Sequence, residues 1–156
     1  MSEHAIRDHL VRLLDWEDAH VGFDAAVDGI PAAQRGVRAT GFEHSPWQLL
    51  EHLRIAQEDI LEFCLNPKYE HTMKWPDDYW PGVAPPSDAA WHESVARFKE
   101  SREKVKALAR LKDLTVTVPT GKKGQTYLRA ILLVADHAAY HVGQLVAVRR
   151  ALGIWK

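Results

Sequence analysis

Apolar residues return at helical spacing through four separate stretches of this chain, and that pattern confines the fold to packed helices. In the first stretch Ile6, Leu10, Leu13, Leu14, Val21 and Phe23 recur through a proline-free run from about Glu3 to Asp28, which predicts one helix ending near Asp28-Gly29-Ile30-Pro31. A looser segment rich in Gly and Arg follows. Ser45-Pro46-Trp47-Gln48 then supplies an N-cap serine, a proline at the first helical position and a capping-box glutamine. Leu49, Leu53, Ala56, Ile60 and Phe63 line one side of this second helix, which closes before Asn66-Pro67. Ser87 caps a third, with Trp91, Val95, Phe98, Val105 and Leu108 spaced as in a bundle seam and an end near Leu111. Leu114 to Pro119 alternates apolar and hydroxyl residues, predicting a short extended piece before the Gly121-Lys122-Lys123-Gly124 turn. The fourth helix is expected from about Gln125 to Leu152, with Gly153 as its stop.

Between the second and third helices, from Lys68 to Pro86, prolines and the aromatics Trp75, Tyr79 and Trp80 show neither helical nor alternating period. Loops of this length are usually functional, and this one is expected to be ordered, with its aromatics packed over the helices. Four helices joined by one long and two medium connections describe an all-α four-helix bundle, a single domain over residues 1–156, in which long connections permit parallel neighbours.

Composition narrows the function. A net charge of −1 with dispersed Lys and Arg gives no pull toward nucleic acid or anionic lipid. Cys64 is alone, which rules out an intramolecular disulfide and a CxxC site and fits a reducing cytoplasm. Met1-Ser2-Glu3-His4 lacks a basic region followed by an apolar run, and no stretch is read as long enough to span a bilayer, so no membrane partner is expected.

Against this plain background the chain holds nine His and six Trp, and three of the histidines share a geometry. His137 and His141 are one turn apart on the fourth helix and stack on one face, which at about 100° per residue lies toward Val134, Ala138 and Leu145. His52 lies between Leu49, Leu53 and Ala56 on the inward side of the second helix. An imidazole on an apolar face needs a partner, since an unsatisfied buried polar group costs about 1–3 kcal/mol. One shared metal ion satisfies three rings at once. The alternative is that each is hydrogen-bonded in the core, and for a lone His-x-x-x-His pair that alternative is the better reading. His137-Ala138-Ala139-Tyr140-His141 has no glutamate beside the first His, so peptidase chemistry is not expected. Three-histidine ligation leaves a coordination position open to water or substrate and suits Zn, Ni, Fe or Cu.

Other residues carry paired readings. Glu17, His20 and Asp24 fall on the side of the first helix that also bears Leu10, Leu13 and Leu14, where they can orient ligands or act as general base, or simply pair locally at a solvated edge. Asp59, seven residues after His52, can orient a ligand or is a surface acid. Gln144, three after His141, can donate near the open position or packs beside Gly143. His4, His9, His71 and His92 are read as solvent groups, His44 as part of a turn, Tyr140 as packing, and Cys64 as a small apolar residue. Lys122 and Lys123 lack the strand–GxxxxGK[ST]–helix context of a phosphate loop. Ile154 and Trp155 are expected to be exposed and to suit an interface.

Two blocks, His44-Ser45-Pro46-Trp47-Gln48-Leu49-Leu50-Glu51-His52-Leu53 and Asp136-His137-Ala138-Ala139-Tyr140-His141-Val142-Gly143-Gln144-Leu145, resemble the DinB-like superfamily of damage-inducible metalloenzymes. The Trp75-Pro76-Asp77-Asp78-Tyr79-Trp80-Pro81 loop is similar to one branch of it. The resemblance implies an up-down-down-up bundle, often a homodimer, with a metal held by positions that here are His52, His137 and His141. It also implies chemistry of the kind found in that family: thiol-dependent transfer or isomerisation with a low-molecular-weight thiol, or hydrolysis of a small-molecule substrate. The rival expectation is a non-catalytic dimeric bundle in which the histidines are structural.

Overall fold

The computed structural model describes residues 3–122 and 124–156, and within them the chain is all helical, with no strand. The helices are α1 (Glu3–Leu13), α2 (Phe23–Val27), α3 (Pro46–Leu65), α4 (Asp88–Leu111) and α5 (Tyr127–Ala151). Single 3₁₀ turns at Ala32–Gln34 and Asp77–Tyr79 punctuate the loops. The expectations for Met1-Ser2 and for Lys123 lie outside the described residues.

The helix starts are chemically explicit. At α3, Ser45 Oγ accepts from Gln48 N and Gln48 Oε1 accepts from Ser45 N, both at 3.2 Å, with Pro46 where a missing N–H costs nothing. Ser87 Oγ caps α4 through Ala90 N, and Thr126 Oγ1 caps α5 through Arg129 N. Arg149 and Arg150 in the last turn of α5 complement the negative end of its dipole. The extended piece before α5 is a single antiparallel bridge, Thr117 to Thr126.

The expected first helix from Glu3 to Asp28 is two helices. After Leu13 the hydrogen bonds tighten to three-residue spacing, Asp15 N to Arg12 O and Trp16 N to Leu13 O, and regular structure stops. Asp15, Glu17 and Asp18 would place three negative charges at the negative end of a helix dipole, so continuation is unfavourable. Asp15 instead reaches α4, pairing with Arg102 at 3.0 Å and with Lys106. Gly22 restarts the chain as α2: a Cβ there would stand 2.8 Å from Glu17 Oε1. Phe23 then stacks on Phe98, ring centroids 3.9 Å apart.

Pairings along the helices set their directions. From α3 to α4, Glu51 accepts from Ser94 and Gln57 donates to Ser101, so both helices run the same way. From α3 to α5, His52 meets His137 while Tyr127 donates to the Cys64 carbonyl, so these run oppositely. Arg7 of α1 donates to the Ala109 carbonyl and Asp15 meets Arg102, so α1 opposes α4. Two apolar clusters fill the interior, one around Trp47, Leu50, Phe98 and Leu145, the other around Leu10, Leu61, Val105 and Ile131.

Two expectations change here. Ile154 and Trp155 are half-buried against the first cluster, with the Arg149 guanidinium 4.7 Å from the Trp155 ring, because the chain folds back after Gly153 at φ +71°. And α5, at 25 residues with a mean hydropathy of 1.4 over 18 of them, is long and apolar enough by composition to cross a bilayer. Its buried positions pack against α1, α2, α3 and α4, while Leu132 and Leu133 of the same helix are exposed.

Candidate metal centre

α3 packs against α5, and the contact brings His52 of α3 to His137 and His141 of α5. One nitrogen from each ring lies within 4.8 Å of the other two, and His52 Nε2 is 3.0 Å from His137 Nε2. Ring centroids are 4.9 Å apart for His52 and His137 and 4.4 Å for the other two pairs.

The outer nitrogens explain why the inner ones converge. His52 Nδ1–H donates to the Tyr79 carbonyl at 3.1 Å, and His141 Nδ1–H donates to Gln144 Oε1 at 2.6 Å. Each acceptor fixes a tautomer, so Nε2 of both neutral rings presents a lone pair. Without a cation, His137 Nε2–H donates to His52 Nε2. A divalent ion would suit the set with His137 as its Nδ1–H tautomer, because tetrahedral bonds of 2.0–2.1 Å place ligand nitrogens about 3.3 Å apart. Burial pushes the His52 and His137 imidazoles down to about 4, with further lowering from the neighbouring rings. His141 is lowered by burial against the opposing effect of Gln144. All three are therefore neutral donors near pH 7, the form a metal requires.

The long loop covers His52. Trp80 stacks on it at 3.9 Å and 5° between planes, and His44 stacks on Trp80 at 3.7 Å and 8°. The loop is tied to α3 by Asp59, whose two carboxylate oxygens accept from the Tyr69 and Tyr79 hydroxyls, each at 2.7 Å. Burial and that carboxylate both raise the two phenols. A cavity of about 290 Å³ opens beside the centre, lined by His52, His137, Asp59, His71, Trp75 and Tyr79.

The remaining candidates fall elsewhere. Gln144 touches His141 directly. Asp59 holds tyrosines rather than a ligand ring. Asp24 is paired with Lys99 at 2.7 Å and Arg102 at 2.9 Å, which hold its carboxyl below the usual range against the opposing effect of burial. Glu17 and His20 are exposed in the segment between α1 and α2, outside the three-histidine group. Cys64 is buried, its thiol pushed up to about 11 by desolvation. Three contributions escaped the sequence reading: the Tyr79 carbonyl, His44 through stacking, and His71 at the cavity wall, whereas Trp80 packs over the helices as expected of the loop aromatics. All three lie outside the α-helices, where no periodicity marks facing. Tyr140, by contrast, meets the His141 ring edge-on and is exposed.

Comparison with known proteins returns one family: the profile described as the DinB superfamily matches residues 15–145. No curated protein and no solved structure matches the chain.

Proposed function

This chain belongs to the DinB superfamily, and from that premise we propose that it is a metal-dependent enzyme holding one divalent transition ion, zinc or nickel first, through His52, His137 and His141. The observation that carries the reading is the pair of outer hydrogen bonds, from His52 to the Tyr79 carbonyl and from His141 to Gln144, which turn two lone pairs toward one point. When bound, such an ion supplies Lewis acidity and lowers the pKa of a thiol or water in its open position.

The chain's own groups supply the rest. Trp80 and the Tyr79 backbone keep water from one side of His52. Trp75 and Tyr79 offer aromatic walls to a small substrate in the adjoining cavity. Tyr69 gives its single proton to Asp59, so His71 Nδ1–H donates to the Tyr69 oxygen at 3.0 Å and its other nitrogen is left to accept a proton. This suits a thiol-dependent transferase or a hydrolase on a small molecule, working in a reducing cytoplasm. We read the four long helices as an up-down-down-up bundle, supported by the directions of the α1–α4, α3–α4 and α3–α5 pairings. Leu132, Leu133 and Tyr140, exposed along α5, support a homodimer through that face.

The test is metal analysis of protein purified without an affinity histidine tag, followed by visible spectra of the cobalt-substituted form with and without glutathione. One ion per chain and a thiol-dependent spectral change are expected. A spectrum indifferent to thiols favours a structural metal, and absence of stoichiometric metal after loading removes the centre.

A further inference from the structure

A second cavity lies along α5, on the flank that faces the segment between α1 and α2. It encloses about 280 Å³ between the 14–22 segment, α3, α4 and α5, and none of the three histidines lines it. Its walls are mainly apolar, with Leu14, Phe23, Phe98, Val134 and Val142 among them, while Asp15, Asp18 and His20 line it from the exposed segment between α1 and α2. At about 100° per residue the mean direction of the α5 wall residues lies about 110° from that of the His137–His141 pair, although Val134 alone is within about 20° of His141. The room is sufficient for one substituted aromatic ring, since an apolar cavity of about 150 Å³ already accepts benzene.

One buried residue of this lining has a polar atom to spare. Gln57 is 3% exposed and lines the cavity, and its Nε2 donates to the Phe98 carbonyl at 2.9 Å and to Ser101 Oγ at 2.6 Å. Because the Phe98 carbonyl can only accept, the orientation of the amide is fixed. Its Oε1 accepts no hydrogen bond from any described residue. A carbonyl without a protein partner on a residue that lines an apolar hollow can accept a donor from a guest. At the mouth, Trp16 is 44% exposed, large apolar surface held beside an apolar hollow by a segment without regular structure.

We propose that this cavity is a binding site, separate from the histidine centre, for a compact and mainly apolar molecule of single-ring size that carries one O–H or N–H donor for Gln57 Oε1. The apolar body is held by Phe23, Phe98 and the α5 wall, and the donor selects among bodies of similar size.

The probes are 4-methylphenol and toluene, which differ by that donor, titrated into ¹⁵N-labelled full-length protein in metal-loaded and metal-stripped forms. Saturable shifts are expected at the Trp16 indole N–H, the Gln57 side-chain amide and the amides of Val134 to Val142, with 4-methylphenol binding about tenfold tighter than toluene. Binding is expected to survive metal removal, which keeps this result independent of the metal reading. Ala135→Leu, at the cavity wall, should weaken both probes at least tenfold; if it fails to fold, Ala139→Leu on the same wall serves. Equal affinity for the two probes, shifts centred on the 68–86 loop, or no saturation at millimolar probe would each overturn the proposal.

Discussion

Gln144 stands three residues beyond His141, and its Oε1 takes the Nδ1 proton at 2.6 Å, so one amide decides which nitrogen of that ring looks inward. Gln144→Leu removes the acceptor while keeping the helix. Metal affinity should fall about 10–100-fold, the usual effect of losing an outer-shell partner, as measured by competition against a chromophoric chelator. Unchanged affinity would mean that His141 is oriented by packing alone. At this scale the sequence was informative wherever a helix supplied the ruler. The four-residue spacing of His137 and His141, the inward side of His52 and the three-residue offset of Gln144 could all be computed from a period. The Tyr79 carbonyl could not, because a backbone acceptor carries no residue identity. The stacking of His44, Trp80 and His52 could not either, because it joins a turn, a loop and a helix across separations no period relates.

Among the elements, α3 does the most to position the centre, and its start depends on Ser45. That hydroxyl accepts from Gln48 N and also donates to the Val83 carbonyl at 2.5 Å, joining the helix cap to the far end of the long loop. Ser45→Ala should destabilise the protein by about 1–2 kcal/mol, toward the upper end for an N-cap because the residue is fully buried and two bonds are lost. Urea unfolding should show a lower midpoint with an unchanged slope. A midpoint shift near zero would indicate that water replaces both bonds. This cap was legible because Ser, Pro and Gln each have a single structural reason to stand at those offsets. The break after Leu13 was hidden for the opposite reason. Val21 and Phe23 keep the apolar rhythm of the first helix by chance of register, and the acids that stop it have modest propensity costs taken singly. What decides is tertiary: Asp15 gains Arg102 and Lys106 only by leaving the helix.

For the molecule as a whole, buried neutral histidines link folding to pH. Burial pushes His52 and His137 down to about 4 in the folded chain and lowers His44 and His141, whereas the unfolded chain protonates all four near 6.5. Above 6.5 both states are neutral at these sites and stability is full. Between about 6.5 and 4 the unfolded state binds more protons, so stability falls as pH falls. Asp24 and Glu51 titrate in the folded state below their usual 3.8 and 4.5, so their loss follows at lower pH and leaves the upper window to the histidines. Metal-stripped protein should therefore show a urea midpoint that is level above pH 6.5 and declines steadily to pH 5. His137→Gln, with one of these imidazoles gone, should flatten the decline. Adding metal should raise every midpoint, but least at low pH, because protons compete for the same lone pairs. A midpoint constant from pH 7.5 to 5 in the stripped protein would mean that the rings are hydrated and charged, and a hydrated, charged cluster would not present three lone pairs to one ion.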